Sequence, residues 1–209
     1  MIDLYTWTTP NGRKVSIMLE ELGLPYTAHA VNIGADEQFD PAFVAINPNS
    51  RIPAIVDQET GMTLTQSGTI LVYLADKAGR FMPADPAARW EVLDWLMWQM
   101  GDLGPMLGQA HHFLKFNEGK APYAETRYHD IANRLYGVLD GRLAGRDYIA
   151  GDYSVADIAV WPWISRFEWH RVDLEAYPNV ARWYLSIAAR PAVQAGYHVP
   201  KKVSEIPMP

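Results

Sequence analysis

The chain is expected to fold as a mixed α/β unit followed by an all-helical one, and three features of its 209 residues point there. Short apolar strands alternate with amphipathic helices as far as Ala78. A proline-punctuated connector comes next, Gly79-Arg80-Phe81-Met82-Pro83-Ala84-Asp85-Pro86, and beyond it only helical periodicity recurs. The expected domains are residues 1–79, a linker over 80–86, and a helical domain over 87–209 that ends in a loose tail.

Ile2 to Tyr5 reads as a strand, after which Thr9 is placed to cap a helix whose first position is Pro10, where a missing N–H is harmless. Val15, Met18, Leu19 and Leu22 then fall on one helical stripe, and Gly23 with Pro25 ends it. Tyr26 to Val31 is the second strand. A long polar connection with a half-turn at Ala42 to Ile46 leads to a hairpin, Ala54 to Val56 and Met62 to Leu64, and a helix from Ser67 to Ala78 closes the unit. A crossover between the first two strands makes them parallel, and the whole order is the thioredoxin-like one.

In the helical part, Trp90, Leu93, Met97 and Met100 share one face of a long helix, and Tyr128, Ile131, Leu135 and Val138 share one face of another, so a helical bundle is expected. Ser154 with Asp157 three residues on has the form of a capping box, flanked by Tyr153 and Ile158 as a hydrophobic staple. Ala181 to Ala189 forms the last helix, stopped by Pro191, and the residues after Tyr197 read as loosely packed.

A net charge of -6 and the lack of any Lys/Arg run argue against a nucleic-acid partner. No apolar stretch approaches the roughly 18 residues of a membrane span, and Met1-Ile2-Asp3 starts a strand rather than a basic leader, so a cytoplasmic protein without a membrane partner is expected. There is no cysteine, which excludes a disulfide scaffold, a thiolate zinc site and a protein thiol nucleophile. His111-His112 does not suggest a metal either: neighbours on a helix diverge by about 100°, and no acid or histidine lies at the i+3 or i+4 position. No metal is expected.

The stretch from Asn47 to Ser67 carries most of the chemistry. Pro53 stands at the mouth of a strand and cannot donate to the ladder, so the backbone of Ile52 is left for another extended chain, and Ser67 offers a hydroxyl at a helix start that favours a carboxylate. Here the sequence resembles the glutathione transferase family, whose first domain has a cis-proline before its third strand and a Glu/Gln-Ser pair opening the next helix. Arg51-Ile52-Pro53 and Gln66-Ser67 match both features. The resemblance spans nearly the whole chain, and Thr8-Thr9-Pro10-Asn11-Gly12 with Gly104-Pro105-Met106-Leu107-Gly108-Gln109 is most similar to the Nu class.

That resemblance implies glutathione as co-substrate, reduced or oxidised, with a disulfide or an electrophile as the second substrate, and a homodimer. A thiol of pKa about 8.5 needs about 2.7 kcal/mol of preference for its anion to drop by about two units. One hydrogen bond to the charged sulfur gives about 1.5 to 3 kcal/mol and a helix N-terminus about 0.3 to 2. Thr9 and Asn11 stand where those donors belong, Asn11 at the position of the activating serine in many relatives, while Tyr5 is the competing hydroxyl with core packing as its simpler role. The resemblance further implies Arg51 and Gln38 at the glycyl carboxylate, the Ile52 backbone at the cysteinyl unit beside a cis Pro53, and Gln66 and Ser67 at the γ-glutamyl end. Gln66 replaces the glutamate of many relatives, a weaker acceptor for an ammonium. Arg127, after Pro122-Tyr123-Ala124, resembles an arginine that Nu-class members direct into the active site, and Trp95, Trp98 and Phe113 are candidates to line an apolar second-substrate site. The expected reaction is disulfide reduction by glutathione; general conjugation to electrophiles, or a non-catalytic interaction protein on the same fold, are the alternatives.

Overall fold

The computed structural model describes residues 1–209. The chain separates into two compact units, Met1–Arg80 with Ala189–Ile206, and Phe81–Ala188 with Pro207–Pro209.

The first unit contains strand β1 (Ile2–Thr6), helix α1 (Pro10–Leu22), β2 (Tyr26–Ala30), the short α2 (Pro41–Val44), β3 (Ala54–Asp57), β4 (Met62–Leu64) and α3 (Ser67–Ala78). Its sheet runs β2-β1-β3-β4. β1 pairs in parallel with β2, Ile2 opposite Tyr26, and antiparallel with β3, Tyr5 opposite Ala54. Alternation along β1 buries Ile2, Leu4 and Thr6 on one face and leaves Asp3 and Tyr5 on the other. On that second face Tyr5 stacks on His29 at 4.6 Å between centroids and meets Phe43 of α2 at 6.2 Å. Val15, Met18 and Leu19 of the expected stripe are buried, and Gly23 closes α1 in a left-handed conformation at φ 65°.

The opposite side of α1 is buried as well. A helix that the sequence does not announce, α9 (Pro191–Tyr197), packs on it, so the assignment of the whole of 87–209 to the second domain is corrected for residues 189–206. The contact is close because Gly196 has no side chain: a Cβ there would lie 2.6 Å from the Cα of Ile17 and 2.7 Å from its nitrogen. Ser16 Oγ donates to the Gly196 carbonyl at 2.7 Å, and the Arg13 guanidinium lies 3.4 Å from the centre of the Tyr197 ring while its Nε donates to the Tyr197 carbonyl. The segment after Tyr197 is therefore partly tied down, with Lys201 Nζ 4.4 Å from the centre of the Trp7 ring.

The second unit is helical. A helical run from α4 (Pro86–Trp98) continues through a π-turn (Gln99–Leu103) into α5 (Gly104–Ala110) and a second π-turn (His111–Phe116); α6 (Pro122–Leu143), α7 (Val155–Ile164) and α8 (Pro178–Ala188) complete it. The first π-turn directly precedes Pro105, whose ring cannot fit against the carbonyl four residues back in a regular α-helix. α4 buries Val92 and Leu96 and leaves Trp90 71% and Met97 54% exposed; α6 buries Ala132, Leu135, Tyr136 and Leu139 and exposes Val138. α4 has apolar residues on every side, so periodicity does not select one. Trp95 and Trp98 meet edge to face with Arg142 over Trp95, and Phe113 stacks on Tyr128.

All ten residues of α7 are buried. Its start is the capping box read from the sequence: Ser154 Oγ accepts from the Ala156 N–H at 3.3 Å, and Asp157 Oδ2 accepts from the Ser154 N–H at 3.1 Å. Asp157 Oδ1 also accepts from the Ile149 N–H and from Trp183 Nε1. Burial pushes its carboxyl up to about 6, and these donors pull the other way.

Candidate active site

A cleft of about 450 Å³ on the first unit is lined by Thr9, Asn11, Ile33, Gln38, Phe39, Asn49, Ser50, Arg51 and Ile52. The β1–α1 loop delivers the first two. Gly12 allows that loop to fold tightly onto α1, since a Cβ would stand 2.2 Å from the Trp7 carbonyl oxygen and 2.5 Å from Thr6 Oγ1. Thr9 caps α1, its hydroxyl oxygen accepting from the Gly12 N–H at 3.1 Å. A hydroxyl that accepts in this way keeps its own proton to donate. Asn11, in the first turn, lies at the positive end of the helix dipole. Tyr5 is not among the lining residues; its ring is engaged by His29 and Phe43.

The far wall is built by Asn47, a residue that sequence reasoning does not single out. Only 1% exposed, it donates from Nδ2 to the Arg51 carbonyl at 2.6 Å and accepts the Asn49 N–H on Oδ1 at 3.1 Å. Ser50 is held at φ 52°, in the left-handed region, with its N–H on the Asn47 carbonyl. The turn-forming string Asn47-Pro48-Asn49-Ser50 is the available clue. The Ile52–Pro53 peptide bond beyond it is cis, as expected.

Gln38 reaches the cleft from the long connection. Its Nε2 donates to Asp36 Oδ1 at 3.3 Å, while its carbonyl oxygen Oε1 is buried and has no hydrogen-bond partner. A buried acceptor without a donor is a feature that a ligand N–H would relieve.

At the start of α3, Gln66 is exposed in the N-cap position without a side-chain cap, and Ser67, 3% exposed, is the first helical residue. Neither belongs to the lining of the cleft. Beneath them lies another residue that sequence reasoning misses. Lys14 is 1% exposed, its ammonium donates to Ser67 Oγ at 3.3 Å, and burial pushes its pKa down to about 7. A cation inside an amphipathic helix gives no local sign that it points inward.

Thr9, Asn11, Gln38, Arg51 and Ile52 thus share one cleft, with Pro53 adjoining Ile52. Arg127 belongs to the second unit, exposed near the start of α6. No group of three or more His, Cys, Asp or Glu side chains is placed to hold a metal, and no helix is long and apolar enough to cross a membrane.

The mixed sheet with its cis-proline, succeeded along the chain by a helical unit, defines a class of protein that comparison makes explicit. Residues 1–76 match the family description "Glutathione S-transferase, N-terminal domain" and residues 98–191 match "Glutathione S-transferase, C-terminal domain". The chain belongs to the glutathione transferase family. It is 46% identical over 198 residues to the disulfide-bond oxidoreductase YfcG of Escherichia coli (strain K12), covering 92% of each chain. Among solved structures, a glutathione transferase from Pseudomonas putida with one glutathione disulfide bound per subunit superposes with a TM-score of 0.91 at 43% identity, covering 95% of this chain and 91% of that one. A family member from Pseudomonas fluorescens Pf-5 with two glutathione bound also gives 0.91, at 44% identity and with 95% and 93% covered.

Proposed function

We propose that this protein is a Nu-class-like glutathione-dependent disulfide reductase, a homodimer that works in the cytoplasm, where the glutathione pool is reducing. The observation that carries this reading is the donor set at the start of α1. Thr9 and Asn11 line the cleft, while Tyr5, the alternative hydroxyl, is packed against His29 and Phe43. Thr9 O–H and the Asn11 amide stabilise a glutathione thiolate without an acceptor strong enough to act as a general base, and thiol exchange needs no such base. The names of the relatives, a disulfide-bond oxidoreductase and a transferase holding glutathione disulfide, support the same assignment.

In this reading the backbone of Ile52, beside the cis Pro53, receives the cysteinyl unit, Arg51 and the Gln38 amide receive the glycyl carboxylate, and Gln66 and Ser67 receive the γ-glutamyl end. The bound thiolate attacks one sulfur of the substrate disulfide; a mixed disulfide forms and the other sulfur leaves as a thiolate, steadied by Arg127 and then protonated. A second glutathione thiolate attacks the glutathione sulfur of the mixed disulfide, releasing the remaining thiol and glutathione disulfide. Because the chain has no cysteine, both sulfurs of the oxidised product come from glutathione.

The test compares glutathione-dependent reduction of 2-hydroxyethyl disulfide with conjugation of an aryl halide, on protein first shown to be retained on immobilised glutathione and released by free glutathione. Disulfide turnover is expected to dominate, and Asn11→Ala and Arg127→Ala are each expected to lower it about tenfold, the effect of about 1.4 kcal/mol in the barrier. Fast conjugation with no disulfide turnover makes the protein a general transferase, and no retention at all overturns the enzymatic reading.

A further inference from the structure

We infer that Ile33 and Phe39 are specificity-determining residues for the second substrate: they form an apolar lip on the cleft that receives the carbon substituent of the disulfide, so that disulfides of alkyl and aryl thiols are preferred to those of acidic thiols. This inference rests on the proposed reading in which glutathione reduces a disulfide at Thr9 and Asn11.

Under that reading only the cysteinylglycine half of glutathione occupies the cleft, against Ile52 and Arg51, because Gln66 and Ser67, which receive the γ-glutamyl end, lie outside its lining. A cleft of about 450 Å³ is of the size that takes a whole drug-sized ligand, about 300 to 1,000 Å³, so part of a tripeptide leaves room in it. The sulfur chemistry assigns that room. Exchange needs the attacked sulfur next to the cysteinyl sulfur at Thr9 and Asn11, and the carbon group it carries must then lie along a wall that glutathione does not cover. Ile33 and Phe39 are the apolar side chains of the lining besides Ile52.

The lip is left open by the fold rather than for want of a core. Phe39 is 61% and Ile33 39% exposed, while Phe43, four residues on, is buried with Val31 and Ala54. Their backbone is fixed: they sit in two single-turn helices, Ile33–Ala35 and Glu37–Phe39, joined through Asp36 in a left-handed conformation at φ 61°. Asn32 ties the first to the second, its Oδ1 accepting from the Gly34 N–H at 3.0 Å while its own N–H donates to Glu37 Oε2 at 2.6 Å. A substrate group that covers the lip therefore gains apolar burial with little ordering of the chain. An acidic group gains less, because Asp36 and Asp40 are exposed on the same segment and Arg51, the cation of the lining, is occupied by the glycyl carboxylate in this reading. Trp95, Trp98 and Phe113, the aromatic residues that the sequence offers for this purpose, do not line the cleft.

The experiment measures kcat/KM with glutathione for three disulfides, dipropyl disulfide, 2-hydroxyethyl disulfide and dithiodipropionate, each corrected for uncatalysed exchange. The parent is expected to prefer the dipropyl compound to the dicarboxylate by about tenfold or more. Phe39→Ser and Ile33→Ser, both at exposed positions, should each remove most of that preference, mainly through KM for the dipropyl compound, and Phe39→Leu, which keeps the lip apolar, should retain it. A parent without the preference, or a preference that survives both serine variants, overturns the proposal while leaving the disulfide reductase reading in place; a parent that turns over none of the three overturns both.

Discussion

Two histidines of the second unit show how far a single side chain can be from its apparent chemistry. His111 Nε2 and His170 Nε2 are 2.8 Å apart, and His170 Nδ1 is 2.8 Å from the Tyr136 hydroxyl, a buried chain of three polar groups between the first helical run, α6 and the turn after α7. The imidazole of His111 is stacked on Trp163 and meets Trp169 edge on. One proton serves the contact between the rings and one the contact with tyrosine, so the chain is complete with both histidines neutral. Burial, with Arg166 adding to it, pushes His111 down to about 3, and burial with His111 and Arg166 pushes His170 well below the usual range. In the unfolded chain both titrate near 6.5. Below that pH the unfolded state binds more protons, so stability is fully present above about 6.5 and falls as the solution is acidified toward about 3, each histidine contributing up to about 1.4 kcal/mol per pH unit. Urea unfolding at pH 7, 5.5 and 4.5 should show this loss, and His111→Phe should make it shallower; a parent whose stability is flat across the range contradicts the account. None of this is legible in the pair His111-His112, because the partners are distant in sequence. That Thr9, Asn11 and Arg51 come together at one cleft is legible, since each sits at a helix start or strand mouth that local residue types announce. Lys14 and Asn47 are not, since their significance lies in which way they point.

Elements are readable where their ends carry chemistry and unreadable where tertiary packing alone decides. Thr9, Pro10 and Gly23 mark α1, and Ser154 with Asp157 marks α7. α9 is hidden because Pro191 reads as the stop of the preceding helix, whereas it occupies the first position of the next. The buried side of α4 is hidden because apolar residues surround that helix, and the π-turns after it rotate the later residues of the run out of a 3.6-residue register. The capping box gives a graded prediction. Ser154→Ala removes one acceptor for an N–H and should destabilise by about 0.5 to 2 kcal/mol. Asp157→Ala should cost more, because the N–H groups of Ser154 and Ile149 and the Trp183 indole lose a buried acceptor together, each worth about 1 to 3 kcal/mol. Denaturant midpoints measure the order; equal losses would mean that the long-range bonds of Asp157 contribute nothing.

For the molecule as a whole, the sequence announces a two-part chain and a connector but not the return of residues 189–206 to the first part, nor which apolar surface is left uncovered. That surface bears on the proposed homodimer. Trp90, Leu93 and Met97 succeed one another at helical spacing along one face of α4, where Trp90 is 71% and Met97 54% exposed. Large aromatic and methionine side chains are enriched at protein interfaces, and a tryptophan in a desolvated centre is a common site of concentrated binding energy. A symmetric pair of chains meeting on this face would put the same residues into contact twice, so each substitution would act twice on the assembly. Trp90→Glu with Met97→Glu places two carboxylates per chain on the patch, and across a two-fold contact these like charges oppose one another. In sedimentation equilibrium at micromolar concentration the parent should show twice its 23.6 kDa chain mass and the double variant a single chain, with the far-ultraviolet circular dichroism unchanged because neither side chain is buried in the chain's own fold. A parent that sediments as a monomer removes the homodimer; a double variant that stays dimeric moves the interface to another face.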